Sequence, residues 1–435
     1  MPVISLPGTP DLLSLHRADS RRYPFLLQTL GADGWDILFA FPQESYAHTA
    51  GSTSPFFSVL DREWQRVGSA CQEAEDLPFK GGWFVYAGYE LLHELEPSVK
   101  ERSLAEDFPL GMLVRIPAAL MVDRARRQTY LFAEAGHVDC LEVMQSDLNR
   151  TAVVPDQAVS VTNLNEEDEL SFLDGVARIK RYIREGDVFQ VNLARRWQGE
   201  LTSGSAAQLY ARLRRSNPAP FAGIADFGRQ QIISSSPERL VKVRHGMAET
   251  RPIAGTHPRS GSATEDEQLR QALLSSPKER AEHIMLIDLE RNDLGRICQP
   301  GSVIVDELMA LRSYAHVHHI ESSVSGKLRA AVTPGETIAA LFPGGTITGC
   351  PKVRTMQIIR ELETSPRLAY TGSMGYLNRD GSMDMNILIR TFMLNGAHLS
   401  FKAGAGIVAD SDPVRELNET RAKAKGLLKA LEPIE

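Results

Sequence analysis

Thr371-Gly-Ser-Met-Gly-Tyr-Leu-Asn-Arg-Asp-Gly-Ser-Met-Asp-Met-Asn-Ile-Leu-Ile-Arg-Thr-Phe-Met-Leu-Asn-Gly-Ala-His-Leu-Ser-Phe-Lys-Ala403 holds three apolar runs separated by two turn signals. Arg379-Asp-Gly and Asn395-Gly read as hairpin turns, so Thr371–Leu377, Met383–Leu394 and Leu399–Ala403 are expected to form an antiparallel meander. Downstream, Asp412 and Pro413 have the chemistry of an N-cap and a first helical position, which predicts a helix from Pro413 to about Leu431. Upstream, Phe172, Val176, Ile179 and Ile183 recur at helical spacing and Gly186 ends the run. A strand is expected next, Val188–Ala194, with Phe189, Val191 and Leu193 on one face and Gln190 and Asn192 on the other. Nearer the start, Trp35-Asp-Ile-Leu-Phe-Ala-Phe41 and Trp83-Phe-Val-Tyr-Ala87 read as strands. Strands and helices mix without βαβ alternation, so the fold class is α+β. A polar stretch with Pro155 suggests a linker at 151–168 between residues 1–150 and 169–435.

Composition narrows the function. The 435 residues carry a formal net charge of −7, which offers no basic field for nucleic acid. No apolar run approaches the roughly 20 residues that span a bilayer, and residues 1–7 lack signal-peptide character. Cys71, Cys140, Cys298 and Cys350 are scattered, without a CxxC, so a reduced cytoplasm is the expected setting.

Two acidic pairs stand out. Glu279 and Glu282 lie three apart near the start of one helix, and Glu416 and Glu419 repeat the spacing on the last helix, with Lys423 one turn on. Together they could give an oxygen site for magnesium, which takes one or two carboxylates and completes its shell with water and an anionic substrate. The spacing equally fits a Ser276–Glu279 capping box and acids placed against a helix dipole. The glycine-rich turns Gly404-Ala-Gly-Ile and Gly344-Gly-Thr-Ile-Thr-Gly could bring backbone N–H groups to a carboxylate or serve only as tight loops; neither matches a nucleotide motif. Arg390 sits within apolar residues and calls for an anionic partner, from the protein or a ligand. His316, His318 and His319 cluster beside an apolar strand, where a structural role is the commoner one.

These stretches resemble the chorismate-binding family, which includes the anthranilate and aminodeoxychorismate synthases. The resemblance spans about residues 170–430. It rests on Gly186-Asp-Val-Phe-Gln-Val-Asn-Leu, Ser235-Ser-Pro-Glu-Arg, Arg251-Pro-Ile-Ala-Gly-Thr, Lys278-Glu-Arg-Ala-Glu-His, Asp288-Leu-Glu-Arg-Asn-Asp-Leu-Gly-Arg, His319-Ile-Glu-Ser, Thr346-Ile-Thr-Gly-Cys-Pro-Lys, Ile389-Arg-Thr and Glu416-Leu-Asn-Glu-Thr. It implies one complex fold, two large antiparallel sheets packed face to face with helices outside, to which residues 1–150 contribute. It implies Glu282 and Glu419 as Mg2+ ligands, supported by Glu279 and Glu416. Arg390, Tyr370, Lys423 and the backbone at Gly404 and Gly406 would hold the carboxylates of chorismate, with Gly255, Thr256 and Thr346 lining the pocket. Glu238 would be the acid that protonates the leaving hydroxyl at ring carbon 4, with His319 nearby.

Water-using relatives carry lysine where Gln190 stands, which implies ammonia as the nucleophile here. Ala254 occupies the position of a covalent lysine in the usual aminodeoxychorismate synthase and matches the anthranilate pattern. Gln190-Val-Asn-Leu, Asn217-Pro-Ala-Pro-Phe and Ser-Pro-Glu-Arg favour the aminodeoxychorismate branch, working through a noncovalent intermediate. No Gly-x-Cys-x-Gly elbow is present, so ammonia is expected from a separate glutamine amidotransferase subunit.

Overall fold

The computed structural model describes residues 2–31, 33–68, 77–102, 107–150, 158–260, 262–313 and 317–432, with backbone alone at 256–258, 263, 278 and 317. Among these residues, twelve strands form one antiparallel sheet and ten form another. The first sheet runs Val3–Pro7, Gln128–Ala133, Ala118–Asp123, Trp35–Ala40, Phe25–Gln28, Phe221–Asp226, Gln230–Ser236, Thr391–Asn395, His398–Ile407, Gln190–Ser203 and Gly349–Cys350. Ser160–Glu166 also pairs with Gln190–Ser203. The second runs Ile253–Pro258, Val317–Lys327, Met247–Thr250, Arg239–Arg244, Met383–Asn386, Ser373–Asn378, Gly82–Ala87, Gly111–Ile116 and Ser45–His48, with Ile304–Ser313 on Val317–Lys327. Residues 1–150 thus supply strands to both sheets. Residues 160–166, expected in a linker, are a sheet strand; 151–157 lie outside the described residues.

Aromatic side chains fill the layer between the sheets. Phe25 of the first stacks on Phe84 of the second with ring centroids 4.0 Å apart, and Phe39 meets Phe84 edge-on. Helices cover the outer faces. Ala206–Ser216 and Pro413–Leu431 pack on the first sheet through Leu209, Leu213 and Leu427, while Phe56–Val67, Pro277–Gly295 and Pro334–Leu341 cover the second. Glu169–Glu185 and Lys352–Leu362 close the end of the Gln190 strand through Val176, Ile179 and Ile358. The caps act as the sequence indicates: Gly186 is left-handed at the end of Glu169–Glu185, and Asp412 accepts from Arg415 N at 2.9 Å. No described helix is long and apolar enough to cross a membrane.

Two expectations change. The stretch Met383–Leu394 is not one strand. It pairs in the second sheet as Met383–Asn386 and in the first as Thr391–Asn395, with 387–390 crossing between them, so the meander is divided over two sheets. Arg390 therefore sits in a crossing and not in a strand, at φ 52°, where a non-glycine residue is uncommon. Phe189 is not on the inner face with Val191 and Leu193. Pairing begins at Gln190 opposite Cys350, and Phe189 is left 68% exposed.

Candidate active site at the crossing between the sheets

Two strand pairs change sheets side by side. Gln230–Ser236 passes through Pro237 and Glu238 into Arg239–Arg244, and its neighbour passes through 387–390 in the opposite direction. Ile387 N donates to Glu238 O at 3.0 Å and Ser235 N to Arg390 O at 3.1 Å, while the Ser236 hydroxyl donates to Ile387 O. Glu238 and Arg390 are thus brought together by backbone hydrogen bonds at a break in both sheets. Such a break leaves side chains aimed along the gap and not packed into a face.

The Glu238 side chain is buried, and Thr346 Oγ1 donates to its Oε1 at 2.5 Å. Burial pushes its carboxyl up to about 7, against the Thr346 bond and the positive charges of Arg390 and Lys423. Arg390 feels the reverse: burial lowers it and the Glu238 charge raises it. An acid that holds its proton near neutral pH beside a cationic group is suited to protonating a leaving oxygen on an anionic substrate.

His319 faces the same gap from Val317–Lys327. Burial brings it down to about 4, helped by the charges of Arg390 and Lys423 and opposed by its bond to Gly255. Its Nδ1 lies 3.1 Å from Gly255 O; a carbonyl only accepts, so Nδ1 carries the hydrogen and Nε2 keeps its lone pair. Gly255 forms a bulge between Ala254, which pairs with Ile320, and Thr256, which pairs with His319. Ala254 is buried. The side chain of Thr256 and all of His316 lie outside the described residues. His318 is bound to Asp266 at 2.9 Å and Ser313 at 2.8 Å, a structural arrangement.

The third wall is the end of His398–Ile407. Lys423 Nζ donates to Gly404 O at 3.0 Å and pairs with Glu419 at 2.8 Å. A Cβ on Gly404 would stand 2.6 Å from Asn192 Oδ1 and 2.9 Å from Tyr370 Oη; one on Gly406 would meet the Gln190 amide and lie 3.7 Å from Glu282 Oε1. Glycine at both positions keeps this wall open to a close approach. Gln190 Nε2 donates to Glu282 Oε1 at 2.9 Å. On the same helix Ser276 accepts from Glu279 N at 3.3 Å, and the Glu279 carboxylate stands 2.9 Å from where a Gly255 Cβ would be. Glu416 is buried on the last helix. One member of each acidic pair, Glu282 beside Gly406 and Glu419 through Lys423, therefore borders the Gly404–Gly406 strand end. No three acidic, histidine or cysteine side chains converge among the described residues. The donors at hand are carboxylates, the hard oxygen ligands that suit magnesium, which needs only one or two from a protein.

Sequence reasoning gave no role to several groups behind these walls. Glu290 is buried beside Asp293 and Lys352; burial and the Asp293 charge push it up to about 8, and it feels the Glu238 charge. Arg367 is buried, bonds Glu363 at 2.6 Å, and donates to Ile347 O at 3.0 Å and Asn192 O at 2.8 Å, which ties the Thr346 turn to the Gln190 strand. Lys402 completes the network at 3.0 Å from Glu363. A lysine inside the apolar run Leu399–Ala403 was the one visible signal of it.

The family model for chorismate binding enzymes matches residues 23–429. The chain belongs to that family. Its relatives include anthranilate synthase component 1 of Synechocystis sp., 41% identical over 391 residues, covering 81% of this chain and 77% of that one. Aminodeoxychorismate synthase component 1 of Bacillus subtilis is 48% identical over 264 residues, covering 61% of this chain and 56% of that one. The crystal structure of anthranilate synthase component I from Streptococcus pneumoniae superposes with a TM-score of 0.82 at 30% identity, covering 92% of this chain and 93% of that one. The chain is thus a chorismate-utilising enzyme of the anthranilate and aminodeoxychorismate synthase class, and the family's two-sheet architecture is the one described above.

Proposed function

We propose that the chain aminates chorismate to 4-amino-4-deoxychorismate, a step toward para-aminobenzoate and folate, with ammonia drawn from a glutamine amidotransferase subunit. The observation that carries the reading is Gln190, whose amide is held by Glu282 inside the site. An amide takes no proton from water, so the nucleophile served there must attack as it stands, and ammonia does. The 48% identity over 264 residues to the Bacillus subtilis aminodeoxychorismate synthase component 1 supports the branch.

Arg390, Lys423, Tyr370 and the backbone at Gly404 and Gly406 hold the two carboxylates of chorismate, and Gly255, Thr256 and Thr346 line the pocket. Magnesium would be held by Glu282 and Glu419, with Glu279 and Glu416 in support, and would supply positive charge to a ring carboxylate. The ammonia lone pair bonds ring carbon 2, the ring double bonds shift, and the bond from carbon 4 to oxygen breaks. The oxygen leaves as water with the Glu238 proton, and the new ammonium group passes a proton to neutral His319. A second ammonia then bonds carbon 4, the ring double bonds shift back, and the carbon 2 amine leaves as ammonia with the proton that His319 returns; the new ammonium group on carbon 4 passes a proton to the Glu238 carboxylate, which restores the acid. No covalent enzyme adduct forms, because Ala254 has no nucleophile.

Ala254 also favours a second reading. The same intermediate could lose pyruvate to give anthranilate, as the names of many relatives suggest. The test is incubation of the purified chain with chorismate, magnesium and ammonium, with products separated before and after addition of aminodeoxychorismate lyase. A product that the lyase converts to para-aminobenzoate is expected; anthranilate alone would select the second reading.

A further inference from the structure

Two buried acceptors in this site have nothing to accept. Gln190 Nε2 faces the Glu282 carboxylate, which only accepts, so the orientation of the amide is fixed and Oε1 must point away. That oxygen is buried and accepts no hydrogen bond among the described residues. Asn192, two residues on along the same strand, presents its side chain on the same face, and its Oδ1 is likewise buried without a partner. Buried polar atoms are normally hydrogen-bonded, and two orphaned acceptors in a row point to a ligand that brings N–H or O–H groups.

Chorismate does not answer that need. Its two carboxylates only accept, and carbonyl oxygens repel them. The hydroxyl that leaves is the one Glu238 serves. Ammonia, or ammonium before it loses a proton, carries three or four N–H donors on one atom. Residues i and i+2 of a strand rise from one face about 6.6 Å apart, and one nitrogen bonding two oxygens at about 2.9 Å bridges up to about 5.8 Å, so the two side-chain oxygens need to lean together by about 1 Å for one nitrogen to bridge them. A Cβ on Gly404 would crowd Asn192 Oδ1 and one on Gly406 would crowd the Gln190 amide nitrogen, so glycine at both positions leaves room beside the two amides.

We propose that Gln190 Oε1 and Asn192 Oδ1 together form the seat of the ammonia nucleophile. This rests on the amination reading above and adds to it where the amine sits and what holds it. Asn192 is assigned as a binding residue for the second substrate.

Initial rates with ammonium chloride varied at saturating chorismate, and the reverse, test the assignment in wild type, Asn192→Leu, Asn192→Ala and Gln190→Met. Loss of one hydrogen bond is expected to raise the ammonium KM about tenfold in either Asn192 variant, with the chorismate KM within about twofold. Methylammonium should compete with ammonium and not with chorismate. Chorismate binding, followed by calorimetry, confirms that each variant is folded, and the two Asn192 variants differ in volume so that a packing fault in one does not mimic the result. An unchanged ammonium KM in both folded Asn192 variants, or equal rises in both KM values, would overturn the seat. A wild type that forms no amine at all would instead refute the amination reading.

Discussion

Replacing Glu238 by glutamine should make the protein more stable at alkaline pH while nearly abolishing turnover. The carboxyl is raised from 4.5 to about 7, chiefly by burial. Between those values the folded state holds a proton that the unfolded chain has released. Stability is therefore fully present below pH 4.5 and falls as pH rises through 7. Raising a pKa from 4.5 to about 7 is worth about 3 kcal/mol of such loss. Glutamine keeps the shape, can still accept from Thr346, and does not ionise, so it removes the loss. His319 works in the opposite sense: lowered from 6.5 to about 4, it favours folding as pH rises through that window. Wild type alone would mix the two, and the difference between wild type and variant isolates Glu238. Urea unfolding at pH 5 and pH 8 measures it: the variant should gain about 2.5 kcal/mol relative to wild type between the two, the part of the shift that lies above pH 5. Turnover should fall about 10²–10⁴-fold, the usual cost of losing a general acid, with chorismate affinity little changed. A stability difference that does not vary with pH would refute the buried, protonated Glu238, and a loss seen mainly in affinity would make Glu238 a binding group.

Further outcomes follow from the same geometry. Glu282→Gln and Glu419→Gln should each abolish activity at ordinary magnesium with the fold intact; wild-type rates in both, with unchanged circular dichroism as the control, would remove the metal assignment. Arg367→Met leaves Glu363 and Lys402 buried without their third partner, and should cost about 3–5 kcal/mol in urea unfolding; a loss below 1 kcal/mol would mean the network is replaceable. Gly404→Ala puts a methyl 2.6 Å from Asn192 Oδ1 and 2.8 Å from the backbone Leu193 O, so the strand end must shift; substrate binding by calorimetry should weaken and the thermal midpoint should fall, and no change in either would mean that this wall is not closely packed.

Local chemistry was legible where it acts locally. The left-handed Gly186 and the Asp412 cap could be read because a helix end needs those residue types. The common face of Gln190 and Asn192 followed from strand alternation, whose period is two. The passage of one apolar run from one sheet to the other was not legible, since Met383–Leu394 alternates in the same way whichever sheet it joins. That crossing is what turns Arg390 and Glu238 toward each other, so the centre of the site depended on resemblance and not on pattern. The polar residues of 160–166 looked like a linker because an edge strand exposed along most of its length carries little apolar signal. The Ser276–Glu279 spacing had two meanings, a helix cap and a metal site; the serine does cap the helix, and the glutamate side chain lies beside Gly255.

The central claim is that this site carries a noncovalent intermediate on to a second amination. Synthetic 2-amino-2-deoxyisochorismate, supplied with magnesium and ammonium, puts the enzyme at the branch directly. Conversion to 4-amino-4-deoxychorismate is expected, with intact-protein mass spectrometry showing no adduct during turnover. Release of anthranilate and pyruvate alone would contradict it.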